Sequence, residues 1–285
     1  MRVANPLLYS MLSLVVFGTG VSGQESGRAE PRRMVLVELY TSQGCDMCPA
    51  AEKILGALAE KDRRVVPIAF HVDYFNDPWV DVFSDPLYSQ RQMTYNDIYK
   101  GPKNPEYGLY YTPMLMIDGV ETINGRDPAA AQAAIRRAQS KKPAVGLDVT
   151  LDVKGDGRSG TASIKVTSKS PRVENAPLLV CAVLREDGVV TDIPSGENKG
   201  KSLVARFPAR RTKYAFIELD GNAASIQKFA FEIEPAWKPS NLRLAAFVQD
   251  KRTGVVYQAA DLPWAPNATA AKTTGSSADR AAPAR

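Results

Sequence analysis

The sequence predicts an α/β domain with a helical insertion, followed by a β-sandwich-like all-β domain. Three observations carry this reading. The apolar run Met34 to Tyr40 is followed by an amphipathic stretch and a second apolar run, Val65 to Val72, the pattern of a strand, a helix and a parallel strand. Two further stretches, 87–99 and 129–140, carry helix signals on either side of a hairpin signal. From Ala144 onward the chain changes to short alternating β-prone segments separated by glycine-rich turns.

Taken in order, the first strand is bounded by charge on one side and by Thr41-Ser42-Gln43-Gly44 on the other. After Cys45-Asp46-Met47-Cys48-Pro49, the residues Ala51, Ile54, Leu55, Leu58 and Ala59 recur at helical spacing, with Glu52, Lys53, Glu60 and Lys61 assigned mostly to the opposite face. In the second strand Pro67 cannot donate to a ladder, which argues for an edge position or a strand start. Residues 73–110 form an insertion rich in aromatics and prolines, with Ser84-Asp85-Pro86 as a helix start. Tyr111 to Gly119 reads as a proline-led strand closed by an Asp-Gly turn, and Val120 to Ile123 as its return. Asp127 is an N-cap, Pro128 opens the last helix, and Lys141-Lys142-Pro143 ends it. The β segments then run 145–153, 161–168, 178–184, 214–219, 228–233, 242–248 and 255–260.

Composition narrows the function classes. Arg2, the apolar run Leu7 to Phe17 and the small residues Val21-Ser22-Gly23 make residues 1–23 a signal peptide, and the run is too short for a membrane helix of about 20 apolar residues. The remaining boundaries are a polar leader at 24–33, a first domain at 34–142, a second at 144–264 and a disordered tail at 265–285. Export implies a periplasmic or secreted protein with no stable membrane insertion after cleavage. The net charge of +5 is scattered in small groups without a basic block, which argues against a nucleic-acid partner. The chain has 3 cysteines, two of them in one turn, so it is not a disulfide-stapled scaffold.

That turn is the candidate site. Cys45 and Cys48 stand three residues apart at the start of the predicted helix, where unpaired N–H groups and the macrodipole favour a thiolate. A redox-active dithiol is the economical reading, with Cys45 as nucleophile, Cys48 as resolving partner and protein thiols or disulfides as substrates. A structural disulfide and a metal site are the alternatives, and for the chain as a whole a partner-binding protein without turnover, with the second domain recognising the partner. No cofactor beyond a Cys45–Cys48 disulfide is implied. His71, the single histidine, ends the second strand on the same sheet edge; the favoured reading is a hydrogen-bonded strand-end histidine, and the alternatives are a proton relay or a third ligand, with Cys45 and Cys48, for Cu(I). Cys181 lies in the apolar run 178–184 and reads as a buried structural thiol.

The element order, the dithiol turn after the first strand and Thr112-Pro113 before the third resemble the thioredoxin fold. The resemblance implies that Pro113 is a cis-proline facing the dithiol and that Glu38 is the buried acid assisting proton transfer. More specifically, Val37 to Pro49, Phe70-His71-Val72-Asp73-Tyr74, Tyr111-Thr112-Pro113 and Gly196-Glu197-Asn198-Lys199-Gly200 resemble DUF1223, a family of exported bacterial thioredoxin-like proteins of unknown function.

Overall fold

In a computed structural model, the structure describes Met1 and residues 33–221 and 223–269. Of the expected signal peptide all but Met1, nearly all of the expected polar leader, and residues 270–285 of the expected tail lie outside the described residues. The first part of the chain runs β1 (Val35–Thr41), α1 (Cys48–Lys61), β2 (Val65–His71), α2 (Pro86–Ile98), β3 (Met114–Ile117), β4 (Glu121–Asn124) and α3 (Pro128–Gln139). Its sheet has the order β2-β1-β3-β4, with Pro67 in the edge strand β2. The β1–β2 pair is parallel and sets Thr41 beside His71, so both strands end at the same edge. Asp85 caps α2 by accepting from the Leu87 N–H, and Asp127 caps α3 by accepting from the Ala130 N–H.

The second part holds β5 (Val145–Val153), β6 (Ser159–Ser168), β7 (Leu178–Glu186), β8 (Val189–Asp192), β9 (Ser202–Ala205), β10 (Ala209–Ile217), β11 (Ser225–Glu232), β12 (Leu242–Asp250) and β13 (Val256–Pro263). Two antiparallel sheets, β10-β7-β12-β13 and β11-β6-β5, close on one apolar core, and β8 and β9 form a separate hairpin.

Period-two alternation explains how the parts meet. Val35, Val37 and Leu39 of β1 face Ala51, Leu55 and Leu58 of α1 and Ala131, Ala134 and Ile135 of α3. Leu36 and Tyr40 point the other way, into a core shared with Tyr88 and Tyr95 of α2 and with Cys181, Val183, Ala245 and Phe247 of β7 and β12. In β7, Leu178, Val180, Ala182 and Leu184 enter the core between the two antiparallel sheets, while Cys181 and Val183 enter the shared one. A strand buried on both faces is apolar throughout, as the run 178–184 is.

The expected class, an α/β thioredoxin-like domain with a helical insertion followed by a β-sandwich-like domain, is corrected by this arrangement. The described residues are mostly strand, with thirteen strands against three α-helices, and β1–β2 is the single parallel pair in several otherwise antiparallel sheets. The physical reason lies in the cover of the first sheet. Helices lie on one of its faces, while the other is closed by a single helix together with the antiparallel strands β7 and β12, and the insertion is otherwise loop.

Candidate functional site

The Cys45–Cys48 turn bridges the buried end of β1 and the first turn of α1. Ser42 and Gln43 are buried, and two successive turns follow, Cys45 N–H to Ser42 O and Cys48 N–H to Cys45 O, each 3.3 Å. Cys48 is the first helical residue and Pro49 the second, where a missing N–H costs nothing. The two cysteines are joined as a disulfide with a Cα–Cα distance of 5.4 Å, and both are buried, Cys45 at 1% and Cys48 at 0% exposure. A Cβ at Gly44 would lie 3.0 Å from the Phe75 carbonyl oxygen, so any larger side chain there would need its neighbour to shift.

The turn is covered from the second part of the chain. Buried Asn198, in the loop between β8 and β9, donates from Nδ2 to the Gln43 and Cys45 carbonyls at 2.8 and 2.9 Å, and its Oδ1 accepts from Lys201 Nζ. Next to it Glu197 Oε2 accepts from the Asp46 N–H at 2.9 Å. Asp46 and Met47, between the cysteines, are the exposed side chains of the turn.

On the other side, the Thr112–Pro113 peptide bond is cis. A Cβ added at Gly125 would lie 2.8 Å from the Pro113 Cβ and 3.0 Å from the Ala51 Cβ, so Gly125 fills the narrow gap between Pro113 and Ala51 of α1. Met47 and Pro113 share the wall of one pocket.

His71 anchors a buried acid cluster behind the turn. Its Nδ1 is 2.7 Å from Asp81 Oδ2, which also accepts from the Gln43 N–H at 2.6 Å, and its Nε2 faces Glu52 Oε1 at 3.7 Å. Glu52 Oε2 accepts from the Arg206 N–H at 2.8 Å, and Thr41 Oγ1 lies 3.4 Å from Oε1. Burial raises the Glu52 carboxyl above its usual value, against the opposing pull of His71 and the Arg206 amide. For His71, burial disfavours the charged ring, but Asp81 and then Glu52 outweigh it and the pKa is raised. Asp81 is lowered because His71 and the Gln43 and Phe83 amides overcome its burial. The hydrogen-bond partner of His71 at the strand end is Asp81, and Asp73 accepts from Ser89. Both ring nitrogens face carboxylates, and no group of three or more His, Cys, Asp or Glu is arranged to hold a metal among the described residues.

Glu52 and Asp81 are additions to the sequence reading. Helical spacing puts Glu52 mostly on the polar face of α1, yet it is buried, one turn after Cys48 at the i, i+4 spacing that stacks side chains. That spacing was the available signal; Asp81, a loop residue, offered none. Glu38 takes a different position from Cys45, Cys48 and Pro113. Its carboxylate accepts from Arg91 Nε and the Tyr95 hydroxyl, both at 2.6 Å, on the sheet face turned away from α1. Arg91 also stacks between Tyr95 and Phe247, each centroid 5.1 Å away. Cys181 lies in the same core, its thiol pushed up to about 12 by burial, as an inert buried thiol should be.

The family model for DUF1223, a protein family of unknown function, matches residues 36–249. The chain belongs to the DUF1223 family. Comparison with curated proteins finds no match. Among solved structures, this DUF1223 chain is similar to protein AGR_C_4864 from Agrobacterium tumefaciens, with 19% identity, a TM-score of 0.57, and 82% of this chain and 95% of that one covered. It is also similar to HBP35 of Porphyromonas gingivalis, with 14% identity, a TM-score of 0.66, and 89% and 81% covered. At these identities the likeness concerns the fold of the DUF1223 chain alone.

Proposed function

We propose that this protein is a periplasmic or secreted thiol-disulfide oxidoreductase acting on protein substrates through Cys45 and Cys48. The observation that carries the reading is the disulfide itself, set at the first turn of α1, with Met47 of its turn and cis-Pro113 lining one pocket. The Cys45 thiolate attacks one sulfur of a substrate disulfide and expels the other as a thiolate. The Cys48 thiolate then attacks Cys45 Sγ, closing the Cys45–Cys48 disulfide and releasing the second substrate thiolate, so that two electrons pass from the protein to the substrate. An external dithiol restores the reduced pair by the same exchange in reverse.

The charges around the turn favour electron donation. Asp46 and the Glu197 carboxylate flank the cysteines and oppose a thiolate, and a dithiol whose thiolate is not stabilised holds its disulfide more firmly. The test is insulin reduction driven by dithiothreitol, together with the redox potential of the pair. The wild type is expected to accelerate precipitation and Cys45→Ser to lose that acceleration. A wild type no faster than dithiothreitol alone, or an unchanged Cys45→Ser variant, overturns the reading.

A further inference from the structure

A cleft of about 250 Å³ lies on the sheet face turned away from α1 and the disulfide, between α2 and the outer side of β10, β7 and β12. Period-two alternation builds it. Thr212, Tyr214 and Phe216 of β10 point to the same side as Leu179 and Cys181 of β7, toward α2. β10 is an edge strand, and its outward residues Tyr214 and Phe216 remain 49% and 59% exposed, a large amount of bare aromatic surface for one strand. Their rings meet edge to face at 5.7 Å. From the other side α2 supplies Tyr88, Tyr95 and Ile98, and buried Phe70 and Cys181 complete the lining.

The polar groups of this lining are matched with one another, save one. Arg91 donates to Glu38, Gln249 and Tyr95, and Gln249 Nε2 donates to the Tyr95 hydroxyl and the Gly254 carbonyl. Buried Asp250 accepts from the Tyr257 hydroxyl and from the Arg252 and Thr253 amides, and it pairs with the Arg252 side chain. Lys251 is the exception. It is exposed, its Nζ lies 4.6 Å from the Phe216 ring centroid, and it makes no ion pair among the described residues.

Size and charge together select a ligand. A dry cavity of about 150 Å³ is enough for benzene, so this cleft holds one ring and a short arm. Aromatic walls take a ring in edge-to-face and offset contacts. The uncommitted ammonium of Lys251 complements an anion at the end of the arm. We propose that the cleft is a binding site for a small arylalkanoate, its ring between α2 and the Tyr214–Phe216 wall and its carboxylate on Lys251. The site is separate from the dithiol and does not rest on the reading of Cys45 and Cys48.

Calorimetric titration of the oxidised, full-length protein with phenylpropionate tests the site. One-to-one binding with a dissociation constant of about 1 mM or below is expected for so small a ligand. Phenylpropionamide, the same shape without the charge, should bind about fivefold more weakly, and so should hexanoate, which lacks the ring. Lys251→Ala should remove the preference for the acid over the amide, and Phe216→Ala should weaken both ligands about fivefold. Both positions are exposed, so neither substitution opens the core. No saturable binding up to about 10 mM, equal affinity for acid and amide, or wild-type behaviour in either variant overturns the site. Hexanoate binding as tightly as phenylpropionate overturns the choice of an aromatic ligand.

Discussion

Replacing Asn198 by alanine tests how the disulfide is guarded. The side chain makes two hydrogen bonds, at 2.8 and 2.9 Å, to the carbonyls of Gln43 and Cys45, and is itself fully buried. Each such bond contributes about 1 kcal/mol net, and each carbonyl left unpaired out of water adds about 1 kcal/mol more, so the loss is about 2–4 kcal/mol. Because both sulfurs are buried, a reductant reaches them only when the turn opens, and Asn198 resists that opening. At about 1.4 kcal/mol per tenfold, even the lower figure makes opening about thirtyfold more frequent. The assay is the rate of disulfide reduction by dithiothreitol in native buffer, with Lys199→Ala, an exposed neighbour, as control. Asn198→Ala is expected to be reduced about thirtyfold faster than either the wild type or the control. Reduction at the wild-type rate would refute the guard, since the variant removes both bonds without touching the cysteines.

Two further outcomes follow from buried charge. Arg91→Leu leaves Glu38 charged in a core with its principal partner gone and should cost about 3–5 kcal/mol in urea unfolding, whereas adding Glu38→Gln should restore part of it; a single variant as stable as the wild type contradicts the buried pair. Asp81 has a lowered pKa, so its contribution is present above the unfolded value of about 3.9 and is lost as pH falls through the folded one, while raised His71 contributes below about 6.5 and loses that contribution as pH rises through its folded value. Urea midpoints against pH should therefore fall on both sides of a weakly acidic optimum, and Asp81→Asn should flatten both limbs; an unchanged profile in that variant rules out the pair as their source.

The local elements were legible because each carries its own signal. Strand-like apolar runs, the proline-led helix starts at Pro86 and Pro128 and the dithiol turn all depend on neighbours in sequence. What failed depends on partners far along the chain. The fold class missed because the cover for the Leu36 and Tyr40 face comes in part from β7 and β12, some 150–200 residues away. Glu52 looked solvent-facing on a helical wheel, but His71 and the Arg206 amide give a carboxylate reasons to be inside. Glu38 shows the same limit from the other direction. Its place between Val37 and Leu39 puts it on the same face as Leu36 and Tyr40, turned away from α1.

The two-faced strand β7 has a mechanical consequence. Its odd and even residues belong to different cores, so neither core is complete when the other is lost. The chain should therefore melt in a single cooperative step observed identically at both ends. A fragment ending before β7 would expose Leu36, Phe70, Met116 and their neighbours to water and tend to aggregate rather than report the chemistry of the intact protein.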